Sequence, residues 1–196
     1  MDKIEIINLA LARIGVAAIE RLDEPSEAAR QAKAFYELTR RAVLSQYHWS
    51  FATRRVSLAL VPTELKDYKF VYRYPMDALY VRRVYMMGSR KPWDKKHYKI
   101  ISDNEGKLIC SRQPFAEVEY TADITDTTLF DDAFIEAFSW KLAAEIAFTL
   151  TGKPDLALNA QQNYRESFTE AVGEDAAEYK EPEEYVNRLA MARFWG

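Results

Sequence analysis

Glycine, histidine and cysteine are all scarce in this chain of 196 residues, and each shortage closes off a class of chemistry. The six glycines form neither a Gly-x-Gly-x-x-Gly turn nor a P-loop, so the sequence holds no glycine-rich cradle for a phosphate. Cys110 is the sole cysteine, which excludes an intramolecular disulfide and a cysteine metal cluster. It follows Leu108 and Ile109 in an alternating stretch with no Cys-His pattern to activate it, and reads as buried and inert. The two histidines, His48 and His97, lie far apart and outside any helix-spaced metal motif; both read as packing or surface residues. No cofactor is expected. Long apolar runs are missing too. The most apolar stretch, 134–150, is interrupted by Glu136, Lys141 and Glu145, so no membrane span and no membrane partner are expected. The first eleven residues lack a basic region followed by a long apolar run, so the chain is expected to be made and folded in the cytoplasm.

Aromatic residues, by contrast, are plentiful, with 12 Tyr, 10 Phe and 4 Trp spread along the chain. Large rings suit both cores and permanent subunit interfaces, so their number alone does not separate the two. The net charge of −3 argues against an autonomous nucleic-acid binder, which carries a basic stripe. Charge is nonetheless uneven. Lys and Arg crowd 82–99, whereas Asp and Glu dominate 174–184. These read as solvated faces; the alternative is two surfaces of opposite sign that meet between neighbouring subunits.

The hydrophobic periodicity is helical at both ends of the chain and alternating in the middle. Ile4, Ile7, Leu11 and Ile14 share one helical face, and Gly15 supplies a left-handed stop, which predicts a helix near 3–14. Ser26 reads as the N-cap of a second helix over 27–46, with Ala28, Ala32, Phe35, Ala42 and Val43 as its buried stripe. At Trp49 the period changes. Val56, Leu58 and Leu60 alternate up to Pro62; Tyr68, Phe70, Tyr72 and Tyr74 alternate up to Pro75. Further strands are expected over 79–87, 97–102, 107–111 and 115–122, with Asp103-Asn104-Glu105-Gly106 as a hairpin turn. Helices return over 131–151 and 154–172, with Gly152 and Gly173 as stops. The third helix is apolar around most of its circumference, so it is either central in a bundle or covered by another subunit.

The fold class expected from this pattern is α+β. A four-helix bundle (1–48 and 128–173) carries one antiparallel β insert between helices 2 and 3 (49–127), followed by an extended C-terminal arm (174–196). Trp49 and Phe51 should be buried where bundle and insert join.

Sites of chemistry are hard to find in this sequence. Asp131-Asp132 sits where a helix N-terminus favours negative charge, a structural role. Glu117 and Glu119 share one face of a strand expected to be solvated, and a glycosidase needs two carboxylates across a cleft instead. The basic–aromatic strings Arg82-Arg83-Val84-Tyr85 and Lys91-Pro92-Trp93-Asp94-Lys95-Lys96 are the one nucleic-acid-like feature, by stacking and phosphate contact. No catalytic, cofactor-binding or metal-binding residue is assigned.

Three stretches carry a resemblance. Trp49-Ser50-Phe51-Ala52, followed by Arg55 and Leu58, makes a Trp-x-Phe-Ala step from helix to strand. Tyr74-Pro75-Met76-Asp77-Ala78-Leu79 gives a Tyr-Pro-x-Asp-x-Leu corner. Val118-Glu119-Tyr120-Thr121 then leads through Phe130 and Phe134 into the small-residue helix Leu142-Ala143-Ala144-Glu145-Ile146-Ala147. In this order and spacing, from Leu11 to about Ala177, the chain resembles the tail tubular protein A family of short-tailed phages. The resemblance implies a helical bundle with a β insert and a homo-oligomeric ring of twelve copies beneath the portal protein. It also implies a nozzle protein attached below, a place in the virion, and no enzymatic role. DNA would pass through the lumen without specific binding, and weak negative charge suits that, since a basic lumen would hold phosphate.

Two other classes remain as alternatives: a phage accessory peptidoglycan hydrolase and a nucleic-acid-binding module. The end of the chain falls outside the resemblance. Residues 174–184 are too acidic to form a core, yet Leu189, Met191, Phe194 and Trp195 follow. Physics alone makes them a docking arm for a neighbouring subunit or the portal, with folding back on the chain's own bundle as the other outcome.

Overall fold

A computed structural model describes residues 1–62, 67–93 and 97–178. The first three helices stand where the periodicity puts them, and the fourth starts there: α1 (Lys3–Arg13), α2 (Glu27–Gln46), α3 (Asp132–Thr151) and α4 (Pro154–Glu178). Local chemistry sets their ends. Asp2 and Glu5 form a reciprocal capping box on α1, with the Glu5 N–H donating to Asp2 Oδ1 at 2.8 Å and the Asp2 N–H to Glu5 Oε2 at 2.6 Å. Ser26 Oγ caps α2 by accepting from the Ala29 N–H at 3.1 Å. Gly152 closes α3 at φ 68°, a left-handed position that glycine fills without a Cβ clash.

The apolar circumference of α3 is explained inside the chain. This helix packs against α1, α2 and α4, and buries Phe134, Phe138, Leu142 and Ile146 completely. It is the hub of the bundle. Among the described residues no helix is long and apolar enough to cross a membrane.

The single β insert expected between helices 2 and 3 does not form. The described residues form six strands, β1 (Thr53–Ser57), β2 (Phe70–Arg73), β3 (Ala78–Met86), β4 (Tyr98–Asp103), β5 (Gly106–Ser111) and β6 (Ala116–Ala122). They divide into two three-stranded antiparallel sheets, ordered β1-β6-β3 and β2-β5-β4. The reason is that the connections carry the chain across from one sheet to the other. After β1, Leu60 already bridges Tyr72 of the second sheet. After β2, Pro75 cannot donate to a ladder, and the corner closed by the Ala78 N–H on the Pro75 carbonyl (3.1 Å) returns the chain to the first sheet. Of the described strands, only β4 and β5 form a simple hairpin, through the expected turn ending at Gly106. Alternation along each strand is blind to such switches, because it specifies a face and not a partner.

β1 departs from its reading in a second way. It begins at Thr53, and Val56 and Leu60 are exposed, so their alternation marks no core face. The buried faces lie elsewhere. Val81, Val84, Val118 and Tyr120 of the first sheet join Tyr72 and Ile109 of the second in the main core. Val71, Leu108 and Cys110, on the other face of the second sheet, form a small separate cluster. Cys110 is buried there, and burial pushes its thiol pKa up.

The expected stop at Gly173 and the arm beginning at residue 174 are also corrected. α4 runs on to Glu178 with Gly173 in ordinary helical geometry. Asp175, assigned to a solvated acidic arm, is buried against the start of the β region. A helix propagates through glycine when tertiary contacts on either side reward it, and here Ala171 and Asp175 supply them.

Candidate functional site

The three stretches that carry the resemblance converge on one joint between helices and sheets. Trp49 stands at its centre, 1% exposed. Its indole N–H donates to the Val43 carbonyl at 3.2 Å, which turns the ring back under the end of α2. Around it lie Tyr47, Phe134 and Phe168, at centroid distances of 5.1, 5.2 and 5.7 Å and in edge-to-face geometry, the favoured quadrupole arrangement. Phe51, expected to be buried, is only half-buried, but its ring packs tilted against Phe130 and edge-on against Phe134, at centroid distances of 5.7 and 5.1 Å. Ser50, between the two rings, donates from its N–H (2.8 Å) and its Oγ (2.6 Å) to Asp175 Oδ1. The step is thus held by α2, α3 and α4 together.

A polar corner completes the joint. Asp77 accepts from the Tyr120 hydroxyl at 2.9 Å and ion-pairs with Arg54 at 3.3 Å; its carbonyl accepts the Asp123 N–H at 2.7 Å. Tyr74 Oη accepts the Val81 N–H at 3.1 Å. On the bundle side, Arg40 is buried and reaches Asp123, Glu37 and the Ile124 carbonyl.

Burial, followed by the hydrogen bond and charge of Asp77, pushes Tyr120 up to about 12; Tyr36 and Tyr164 are pushed to about the same value, chiefly by burial. A phenol whose pKa is raised on folding adds stability below the unfolded value near 10, and loses it as pH rises through the folded value. Stability should therefore hold to about pH 10 and fall between about 10 and 12. Denaturant unfolding at stepped pH, with phenolate absorbance followed in parallel, checks this. Tyr120→Phe should flatten the fall, and tyrosines that all ionise near pH 10 with the fold intact would contradict it.

The first sheet carries a charged face that the sequence reading placed in solvent. Glu119 is in fact 8% exposed. It accepts from the Tyr85 hydroxyl at 3.1 Å and pairs with Arg83 at 3.3 Å, while His48 Nε2 lies 3.6 Å away. Burial, more than the neighbouring carboxylate can offset, holds His48 below the ordinary histidine value. Glu117 pairs with Arg55 at 2.7 Å, and the Arg55 guanidinium lies 3.9 Å from the Tyr85 ring centroid. Both carboxylates are committed to structural partners. The end of α2 covers this face, which explains the burial and which strand alternation cannot foresee. Arg82, the extra residue at an irregularity in the β3–β6 register, caps that helix end by donating to the Ser45 and Tyr47 carbonyls at 2.9 and 2.6 Å.

The first basic–aromatic string is therefore not a stacking surface: Arg82 caps a helix and Tyr85 is buried. In the second, Lys91 is exposed and Trp93 packs partly against the core; Asp94, Lys95 and Lys96 lie outside the described residues. Leu189, Met191, Phe194 and Trp195 also lie outside them. Among the described residues, no group of three or more His, Cys, Asp or Glu is placed to hold a metal ion.

One cleft opens at the joint. It has a volume of about 410 Å³, a floor that includes Trp49, Phe134 and Ala171, and a rim of Asp131, Asp132, Glu174 and Glu178, with Asp175 on its wall. Asp131 is the N-cap position of α3, as its sequence position implied, but its side chain makes no cap hydrogen bond. Burial and the charges of Asp175, Glu178 and Asp132 hold its carboxyl above the usual range. The rim is thus an acidic surface that no ion pair with a described cation compensates, and the apolar residues beneath it are almost wholly buried. Sequence reasoning missed it because α4 was expected to end before Glu174.

No protein-family model matches this chain, and no curated protein matches it at a significant level.

Proposed function

We propose that this chain is a structural adaptor of a phage tail. In this reading it is a ring subunit that joins the portal to the tail nozzle and lets DNA pass, in the twelve-copy form that the resemblance implies. The observation that carries the reading is the convergence of the three stretches on one joint. Trp49 and Phe51 of the first meet Phe130 and Phe134 of the third, while Asp77 of the second binds Tyr120 of the third. Residues far apart in sequence thus fix helices against sheets. A connector needs that rigidity, since it must hold one neighbour with its bundle and another with its sheets. The segment 179–196, with Leu189, Met191, Phe194 and Trp195, belongs to the same proposal as a docking arm.

Electron microscopy of the purified protein, alone and mixed with its cognate portal, tests the reading. Rings, or binding to portal even when the isolated protein is monomeric, are the expected outcome. Failure to bind that portal at any salt concentration would remove the adaptor role. Cleared bands on a cell-wall zymogram would instead favour a hydrolase.

A further inference from the structure

β3 and β4 are each the edge strand of a sheet, and a second cleft, of about 430 Å³, opens between them. Its apolar lining is accessible: Tyr80 is 52% and Ile100 42% exposed, and Tyr98 is half-buried. Three cations, Arg82, Lys99 and Lys107, line it as well. The Arg82 guanidinium lies 4.6 Å from the Tyr80 ring centroid, and Lys107 Nζ lies 5.2 Å from that of Tyr74. Arg82 donates to Thr121 and to the Ser45 and Tyr47 carbonyls, all neutral acceptors. Neither lysine pairs with a described carboxylate, and none of the described residues lining the cleft is acidic. Positive charge beside accessible aromatic surface suits an acidic peptide that carries an aromatic residue. The net charge of −3 on the chain disfavours a nucleic acid in its place.

The chain contains such a segment, Glu181-Pro182-Glu183-Glu184-Tyr185. It begins three residues beyond the end of α4. Asp175 ties the last turns of that helix to Ser50, and Thr53 sits in one row across the first sheet with Thr121 and Tyr80. Two strand spacings, about 10 Å, therefore separate Thr53 from Tyr80. Five to seven extended residues beyond Glu178 span up to about 17–25 Å, so residues 183–185 can reach the cleft of their own chain. So short a tether gives an effective concentration on the order of millimolar, which favours the same chain over a second copy.

We propose that Glu183, Glu184 and Tyr185 latch onto the β3–β4 cleft of the same chain. The carboxylates meet Lys99 and Lys107, and the phenol ring packs against Tyr80 and Tyr98. Edge strands also offer unpaired main-chain groups to an extended segment, the geometry that a proline favours in the residue before it. Leu189, Met191, Phe194 and Trp195 lie beyond this contact, which holds or fails independently of the docking role proposed for them.

Hydrogen exchange on the full chain, read by mass spectrometry, tests it, with the amides of α3 as the control for folding. Amides of 183–186 should exchange at least about tenfold more slowly in the wild type than in Lys99→Glu with Lys107→Glu, and added salt should narrow the difference. Glu183→Lys with Glu184→Lys changes no residue of the described fold and should remove the same protection. Joining the two charge-reversed pairs in one chain should restore it. Protection is expected to be independent of protein concentration. Equal exchange in the wild type and both variants overturns the inference. So does protection that rises with protein concentration, which would place the contact between copies. An oligothymidylate that slows exchange at 79–82 and 98–100 while 183–186 exchange freely also overturns it, since the cleft would then serve nucleic acid.

Discussion

Replacing Trp49 with Ala is expected to cost about 3–5 kcal/mol of folding stability, the largest loss from any single substitution at the joint. The side chain is almost wholly buried, its indole N–H is bonded to Val43, and it contacts rings from the end of α2, from α3 and from α4. Truncation therefore removes the transfer energy of the ring, leaves a cavity, and ends several edge-to-face contacts at once. The cavity cannot collapse readily, because the surrounding rings belong to three different helices. Trp49→Phe keeps part of that packing and should lose clearly less. Urea unfolding read by two probes provides the measurement. A change within about 0.5 kcal/mol would mean that Trp49 does not hold the helices to the sheets.

Arg40→Ala is expected to cost about 3 kcal/mol, at the low end of the range for breaking a buried ion pair. Arg40 is 2% exposed, with Glu37 at 2.9 Å, Asp123 at 2.7 Å and the Ile124 carbonyl also in reach. Removing the guanidinium deprives Asp123 of its nearer cation and the Ile124 carbonyl of its donor. The loss should not reach the top of the range, because Arg41 keeps a 3.3 Å contact with the other Asp123 oxygen. Glu37 is half-exposed and retains Lys3 at 2.7 Å. Arg40→Lys should recover only part of the stability, since one ammonium cannot serve three directions as a planar fork does. Pairing Arg40→Ala with Asp123→Asn should cost less than the sum of the two single changes, the mark of a coupled pair. Strict additivity would show that Arg40 acts by packing alone.

These two residues also separate what was legible from what was not. Trp49 stands where the period changes from helical to alternating, and that change by itself places it at a joint. Arg40 carried no such signal. An arginine among Glu37, Arg41 and other polar positions of α2 reads as solvated, and only the approach of residues 123 and 124, more than eighty positions away, buries it. Glu119 is a parallel case. Its strand alternates correctly, yet the end of α2 covers the face that alternation assigned to water.

The sequence by itself determined the helices, their caps, the hairpin at Gly106 and the change of period at Trp49, because each depends on residues within a few positions of one another. Propensity, capping and amphipathic spacing act over that range and need no partner. Tertiary structure alone decided that the strands split into two sheets, that α4 continues past Gly173, and that five carboxylates gather over an apolar floor. Strand pairing depends on where the connections lead, and a glycine stops a helix only if nothing beyond it is worth reaching; in this fold Ser50, 125 positions from Asp175, makes the last turn worth forming.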